Sequence, residues 1–322
     1  MKQEKTIQMR RSTFAVGLRR LLQDWRLYIL LLPMAVWFLL WAYKPMTGLI
    51  IAFKRFEPSV GIMDSEFVGL TNFVNLMFGI NKLEFWQAFR NTFVVSLYSL
   101  LFGFPIPILL ALLFSEIGVN SVRKIAQTLT YLPHFLSEVT ITGIVLMLMY
   151  NGVESTGVIA KLLISSGLVD GSTSLMQQAN LFRPIYIITG IWKESGYNSI
   201  VYFATIMGIS PSLYEALRVD GGNKLQEIRY VTFPGMAPTI IIMIIMRIGN
   251  LLSVGYERVL LLYNANIYST ADVLSTFEQR FGILQSNYGI GAASSLFNAL
   301  IALALVLGAN TISRNVSKTS LW

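Results

Sequence analysis

Cysteine is missing from the chain, which removes disulfides, thiolate catalysis and cysteine metal sites at once. Histidine occurs once, as His134, too little for a histidine-rich centre. No glycine is followed by lysine, so the phosphate-cradling loop of a nucleotide hydrolase cannot be written anywhere in this sequence. Charge is scarce as well. Charged residues make up 13% of the 322, against the roughly 25% usual in soluble domains.

What replaces them is apolar: hydrophobic residues reach 54%. A water-soluble fold of this length has too little interior to hide that much apolar surface, so lipid is the solvent that fits. The net charge of +8 would suggest nucleic acid in a soluble protein. In a membrane protein the preference of basic loops for one side accounts for it, and no nucleic-acid partner is expected.

Crossing a hydrocarbon core of about 30 Å takes about 20 apolar residues. Six stretches approach this: 27–43, 92–114, 136–150, 184–207, 236–256 and 292–310. Pro33 interrupts the first, and Pro105 with Pro107 is expected to bend the second. The expectation is an all-α membrane protein in three parts: a leading segment 1–26, a six-span domain 27–310 and a tail 311–322. The start resembles a signal peptide, but no small-x-small cleavage site follows Tyr43, so it reads as an uncleaved first helix. The stretch from Lys44 to Asn91 is long and mixed, suited to interfacial helices but not to a separate domain.

Orientation follows from the basic residues. Lys2, Lys5, Arg10, Arg11, Arg19, Arg20 and Arg26 precede the first span. If they are cytoplasmic, so are Arg123, Lys124, Arg218, Lys224, Arg229, Arg314 and Lys318, together more than half of the 25 basic residues. Lys44, Lys54, Arg55, Lys82, Arg90, Lys161, Arg183, Arg258 and Arg280 fall on the opposite side, in longer loops. Both termini are therefore expected in the cytoplasm.

The loop 210–234 has the densest local signals. Ser210 before Pro211 starts a helix, with a capping box of Ser212 and Glu215 as the alternative. Leu213, Ala216 and Leu217 share a face. Gly221-Gly222 stops that helix, because glycine accepts the left-handed conformation of a C-terminal cap. Asn223 caps a second helix bearing Leu225 and Ile228, which leads through Pro234 to the fifth span. The predicted product is a two-helix hairpin with one apolar side, a shape made for docking.

With Glu215-Ala216, Asp220-Gly221 and Val231-Thr-Phe-Pro234 at these spacings, the loop resembles the EAA loop of permease subunits of binding-protein-dependent ABC importers. It departs from that pattern with Leu217 for the second alanine, Gly222 for a usual alanine, and Val231 and Phe233 for aliphatics near the end. Val-Gly-Leu-Thr-Asn-Phe at 68–73, Arg90-Asn-Thr92, Tyr-Leu-Pro-His-Phe at 131–135 and Arg247-Ile-Gly-Asn250 extend the likeness over about 25–315, to the oligosaccharide and polysaccharide branch of that family. Within the branch, overall similarity points to permeases of alginate importers.

The resemblance implies a type I, maltose-permease-like fold with a coupling helix at about 212–219. It implies a second permease subunit, preferably a different chain, an ATPase dimer beneath, an external solute-binding protein and an oligosaccharide substrate. Ser212, Tyr214, Glu215, Ala216, Asp220, Gly221 and Pro234 would form the ATPase-coupling element. ATP and Mg would sit on the partner ATPase; this chain would bind no cofactor or metal and would not itself be an enzyme.

Ionisable groups inside spans are functional candidates by default. Counting inward at 1.5 Å per residue puts Glu194 about 16 Å and Arg247 about 18 Å deep, both near the midplane. They are expected to pair or to share a polar cavity with Lys193 alongside, either as a packing ion pair or in the substrate path. Arg247 facing a second permease subunit is the third reading. Trp192, Tyr197, Tyr186 and Tyr150 could stack on sugar rings, although interfacial anchoring or packing is the commoner role of such residues near span ends and is the expected one for each. Asn250 joins Trp192, Lys193, Glu194, Tyr197 and Arg247 as a substrate-path candidate. Lys193 and Arg247 suit an anionic sugar such as a uronate.

His134 lies one turn before Glu138, where local capping or packing is expected rather than a proton relay. Gly190, Gly196 and Gly249 are expected to permit close helix approach. A secondary transporter or channel is the rival class, but it predicts inverted repeats with matched broken helices, and no such symmetry is visible. A membrane enzyme lacks a nucleophile motif or paired carboxylates, and a purely structural subunit would leave the 210–234 loop without a purpose.

Overall fold

The computed structural model describes residues 25–152 and 156–317. The segment 1–24 and the last residues, 318–322, which carry the leading basic residues and the end of the expected tail, lie outside the described residues. The described residues are mostly helical, and their strands form a two-stranded antiparallel ribbon of β1 (Lys54–Arg55) and β2 (Glu66–Phe67).

Among the described residues four helices are long and apolar enough to cross a membrane. They are α1 (Trp25–Phe53), the pair α2 and α3 (together Lys82–Glu116), α8 (Lys224–Gly249) and α10 (Tyr288–Ser317). Two bent pairs complete six. The first joins α4 (Asn120–Tyr131), continued by a 3-10 turn to Phe135, with α5 (Glu138–Met149) at 100°. The second joins α6 (Ala179–Met207) to α7 (Pro211–Val219) at 66°. The remaining labelled helix, α9 (Tyr256–Leu262), follows α8.

Three expected spans are corrected. The second begins at Lys82, not near 92, and breaks at Phe104, where Pro105 opens α3. The third is not one rod over 136–150. Pro133 sits in a 3-10 turn, Leu136 is extended, and Ser137 starts a new helix by accepting the Thr140 N–H at 3.2 Å. At 12 residues, α5 is about 18 Å long and cannot cross a ~30 Å core without α4. The fifth ends at Gly249, so 250–255 is irregular where helix was expected to 256. The fourth, α6, has 29 residues and is long enough alone; Arg183, Lys193 and Glu194 are what depress its hydropathy.

The helix α6 is the hub, packing against α2, α3, α4, α8 and α9. One apolar cluster joins Val95, Phe182, Tyr186, Val259 and Ile267; a second joins Leu76, Phe85, Phe277 and Ile290; a third joins Ile108, Ala111, Tyr202 and Met236. By contrast, none of the residues from Trp25 to Met46 is buried. An apolar helix that covers nothing in its own chain is one that lipid or another subunit solvates.

The stretch after α1 folds as a small cap on α10 instead of an independent domain. Lys54 Nζ donates to the carbonyls of Ile62 and Met63 at 2.7 Å each, and Asn72 Nδ2 donates to those of Ala52 and Lys54. The Arg90-Asn-Thr92 motif has a similar tying role. Asn91 donates to the carbonyls of Ser269 and Asp272 and accepts from Arg183, while Thr92 Oγ1 accepts the Leu274 N–H at 2.8 Å.

All three glycines expected at close approaches are found there. A Cβ on Gly196 would stand 2.0 Å from the Thr130 carbonyl oxygen, on Gly190 2.7 Å from the Arg258 guanidinium, and on Gly249 2.7 Å from Val306.

Candidate functional site: a polar cavity and a capped hairpin

Two regions carry the chemistry. The first is a cavity of about 570 Å³ between α2, the start of α5, α6 and the irregular turn 250–255. Among its lining residues are Ser96, Ser99, Glu138, Tyr186, Glu194, Arg247, Asn250 and Arg258. The turn exists because α8 stops at Gly249, with Asn250 at its C-terminal cap and its Nδ2 donating back to the Met246 carbonyl. The chain then reverses, and Gly255 N–H donates to the Tyr186 hydroxyl at 3.1 Å before α9 enters the bundle.

The charges in this cavity are arranged differently from the sequence expectation. Glu194 and Arg247 share the cavity without pairing. Glu194 Oε2 instead meets His134 Nδ1 at 3.0 Å, and the His134 ring stacks on Tyr197 at 3.9 Å between centroids. Glu138 does not bond His134; it accepts from Arg258 at 2.8 and 3.0 Å and from Lys193 at 3.0 Å. Arg258 was placed in an outer loop by sequence, yet it is buried and stacks over Tyr186. Lys193 is also buried and stands behind the cavity rather than on its wall. Trp192 and Tyr197 are half-exposed and do not line the cavity. Of the substrate-path candidates, then, Glu194, Arg247 and Asn250 come together on the wall, and Arg258 and Glu138 are the residues that sequence reasoning missed.

The second region is the hairpin. Pro211 occupies the first turn of α7, with Ser210 extended before it. The Ser210 side chain makes no capping bond to the backbone and meets Ser212 Oγ at 2.8 Å, so the Ser212–Glu215 capping box does not form. At the other end Gly221 has φ +82°; its N–H donates to the Arg218 carbonyl and the Gly222 N–H to the Leu217 carbonyl, the two bonds of a Schellman cap. Asn223 and Gln226 then form a reciprocal capping box that opens α8.

Side chains bind the hairpin into a unit. Arg218 pairs with Glu227, the Tyr214 hydroxyl meets Thr232 Oγ1 at 3.1 Å, and Lys224 joins Glu227 to Glu116 at the end of α3. A π-helical stretch, Ile228–Thr232, connects this unit to the rest of α8, which Phe233 and Pro234 begin. Outward, Leu213, Val219 and Leu225 are exposed, the last two at 87% and 73%, so Leu225 does not pack inward with Ile228. Glu215, Ala216 and Asp220 are exposed beside them, and Glu215 has no ion-pair partner among the described residues.

Residues 103–319 match the family described as binding-protein-dependent transport system inner membrane component. The polygalacturonan/rhamnogalacturonan transport system permease protein YteP of Bacillus subtilis (strain 168) is 34% identical over 303 residues, 94% of this chain and 92% of that one. A crystal structure of a bacterial ABC transporter involved in import of the acidic polysaccharide alginate contains a chain that aligns with a TM-score of 0.83 at 43% identity, covering 93% of this chain and 98% of that one. In a structure of the bacterial alginate transporter with an alginate pentasaccharide-bound periplasmic protein, the corresponding values are 0.84, 43%, 94% and 99%. The chain thus belongs to the inner-membrane permeases of binding-protein-dependent ABC importers.

Proposed function

We propose that this permease forms half of the translocation path for an anionic oligosaccharide of the uronate class and takes its energy from a partner ATPase through 210–234. The observation that carries the substrate class is Arg247, an exposed guanidinium on the cavity wall with no carboxylate partner among the described residues. Both the alginate transporter and the polygalacturonan/rhamnogalacturonan system are named for acidic polysaccharides, which supports the same class.

Coupling rests on the hairpin. Its apolar residues Leu213, Val219 and Leu225 face away from the bundle beside an exposed Glu215 that has no salt bridge among the described residues, a surface suited to a cleft in another protein. Ser212, Ala216, Asp220 and Gly221 set its shape, and Tyr214 and Pro234 link it to α8, so a push on α7 is passed along that helix to the cavity wall at Arg247. ATP and Mg belong to the ATPase dimer. This side of the protein, with both termini, faces the cytoplasm; a periplasmic binding protein delivers the sugar from the other, and a different permease chain completes the path.

The test is ATPase activity of the complete complex in lipid vesicles with binding protein present. An alginate pentasaccharide should stimulate it, and maltopentaose, neutral and of equal length, should not. Equal stimulation by both, or by neither, contradicts the anionic assignment.

A further inference from the structure

The cavity wall carries three carboxylates, Glu138, Glu194 and Glu257, and two guanidiniums, Arg247 and Arg258. A site built to grip an anion would show an excess of free positive charge. Here the positive charge is largely committed. Glu138 takes Arg258 through two bonds, at 2.8 and 3.0 Å, and Lys193 through a third at 3.0 Å. These partners come from three separate parts of the chain, the start of α5, the middle of α6 and α9, so the arrangement is not a by-product of one helix face. Arg258 is further held over the Tyr186 ring, and the same tyrosine fixes the turn at Gly255. The one cation on the wall without a carboxylate partner among the described residues is Arg247.

We infer that Glu138 is a specificity-determining positioning residue: by sequestering Arg258 and Lys193 it keeps the path from binding an anionic saccharide tightly, leaving Arg247 as the single cationic contact. This rests on the proposed uronate substrate. A passage needs attraction enough to admit the sugar and no more, because each additional charge-assisted bond raises affinity by about tenfold and slows release accordingly. Arg258 already lies on the cavity wall, so releasing it from Glu138 supplies that additional bond without moving the backbone.

The experiment measures binding of alginate pentasaccharide and of maltopentaose to the whole permease–ATPase complex in detergent, without binding protein, for wild type, Glu138→Gln, Glu138→Gln with Arg258→Gln, and Arg247→Gln. Glu138→Gln should tighten alginate pentasaccharide binding about tenfold, leave maltopentaose unchanged, and lower alginate-stimulated turnover. Adding Arg258→Gln should cancel the gain. Arg247→Gln, at an exposed position that leaves the ion pairs intact, should abolish the preference for the anionic sugar.

If Glu138→Gln assembles and shows no change in the ratio of the two affinities, or loses both equally, the inference is overturned. If it does not assemble, Arg247→Gln decides: a preference that survives its removal means the paired cations already serve the substrate, which also overturns it. A wild-type complex that alginate does not stimulate refutes the function proposed above, an outcome separate from these.

Discussion

Leu217 fills the space that a side chain at 222 would need: a Cβ on Gly222 would lie 2.5 Å from Leu217 Cγ and 2.8 Å from its carbonyl oxygen. The loop's two departures from the alanine pattern thus meet each other across the turn, a large residue on one side facing the smallest on the other. Gly222→Ala alone should distort the Schellman cap and reduce stimulated ATPase activity severalfold, at an overpacking cost of about 1–3 kcal/mol. Combining it with Leu217→Ala should restore part of the activity, because it removes the side-chain clash and leaves the 2.8 Å approach to the carbonyl oxygen of residue 217. No recovery in the double variant would show that the two positions act independently.

The conformation of Gly221, at φ +82°, gives a second expectation. Open space surrounds its Cβ position, so substitutions there test backbone strain without a clash. Gly221→Val should impair coupling strongly, Gly221→Ala by about 1 kcal/mol of hairpin stability, and Gly221→Asn least, since asparagine tolerates the left-handed region. ATPase stimulation across the three variants reads this order.

Gly196 should be far less tolerant than Gly143. A methyl group on Gly196 collides with the Thr130 backbone at 2.0 Å, whereas one on Gly143 meets nothing within 4 Å. Gly196→Ala should lower the thermal midpoint of the detergent-solubilised chain by several degrees, as expected for a loss of about 1–3 kcal/mol. Gly143→Ala should leave the midpoint unchanged or raise it, because alanine favours helix.

Asn91 satisfies three groups at once: the carbonyls of Ser269 and Asp272, and the Arg183 guanidinium at 2.9 Å. Replacing it by alanine strands buried polar groups at about 1–3 kcal/mol each. Asn91→Asp keeps an acceptor for Arg183 but loses both donated bonds, so its thermal midpoint should fall between those of wild type and Asn91→Ala.

The hairpin was legible because its signals are local. Proline at the first turn, glycine at a left-handed cap and Asn223 as a helix cap each act within four residues, while the reciprocal bond from Gln226 was not read. The cavity charges were not, because depth counted along straight helices assumes that the helices continue. The helix α8 ends two residues after Arg247, and the chain turns back to bring Arg258, assigned by sequence to an outer loop, onto Glu138. Likewise His134 reaches Glu194 only because the third span breaks at Leu136 and Ser137. Spacing along a chain cannot report such reversals; a Ser-Glu pair at 137–138 followed by an apolar run was the available hint that a new helix begins there.

The most direct measurement of the central claim, that 210–234 couples this permease to its ATPase, is alginate-stimulated ATP hydrolysis by the reconstituted complex with binding protein, wild type against Gly221→Val. The account predicts stimulation in the wild type and its loss in the variant, with the complex still assembled by size-exclusion chromatography. Full stimulation in the variant would contradict it.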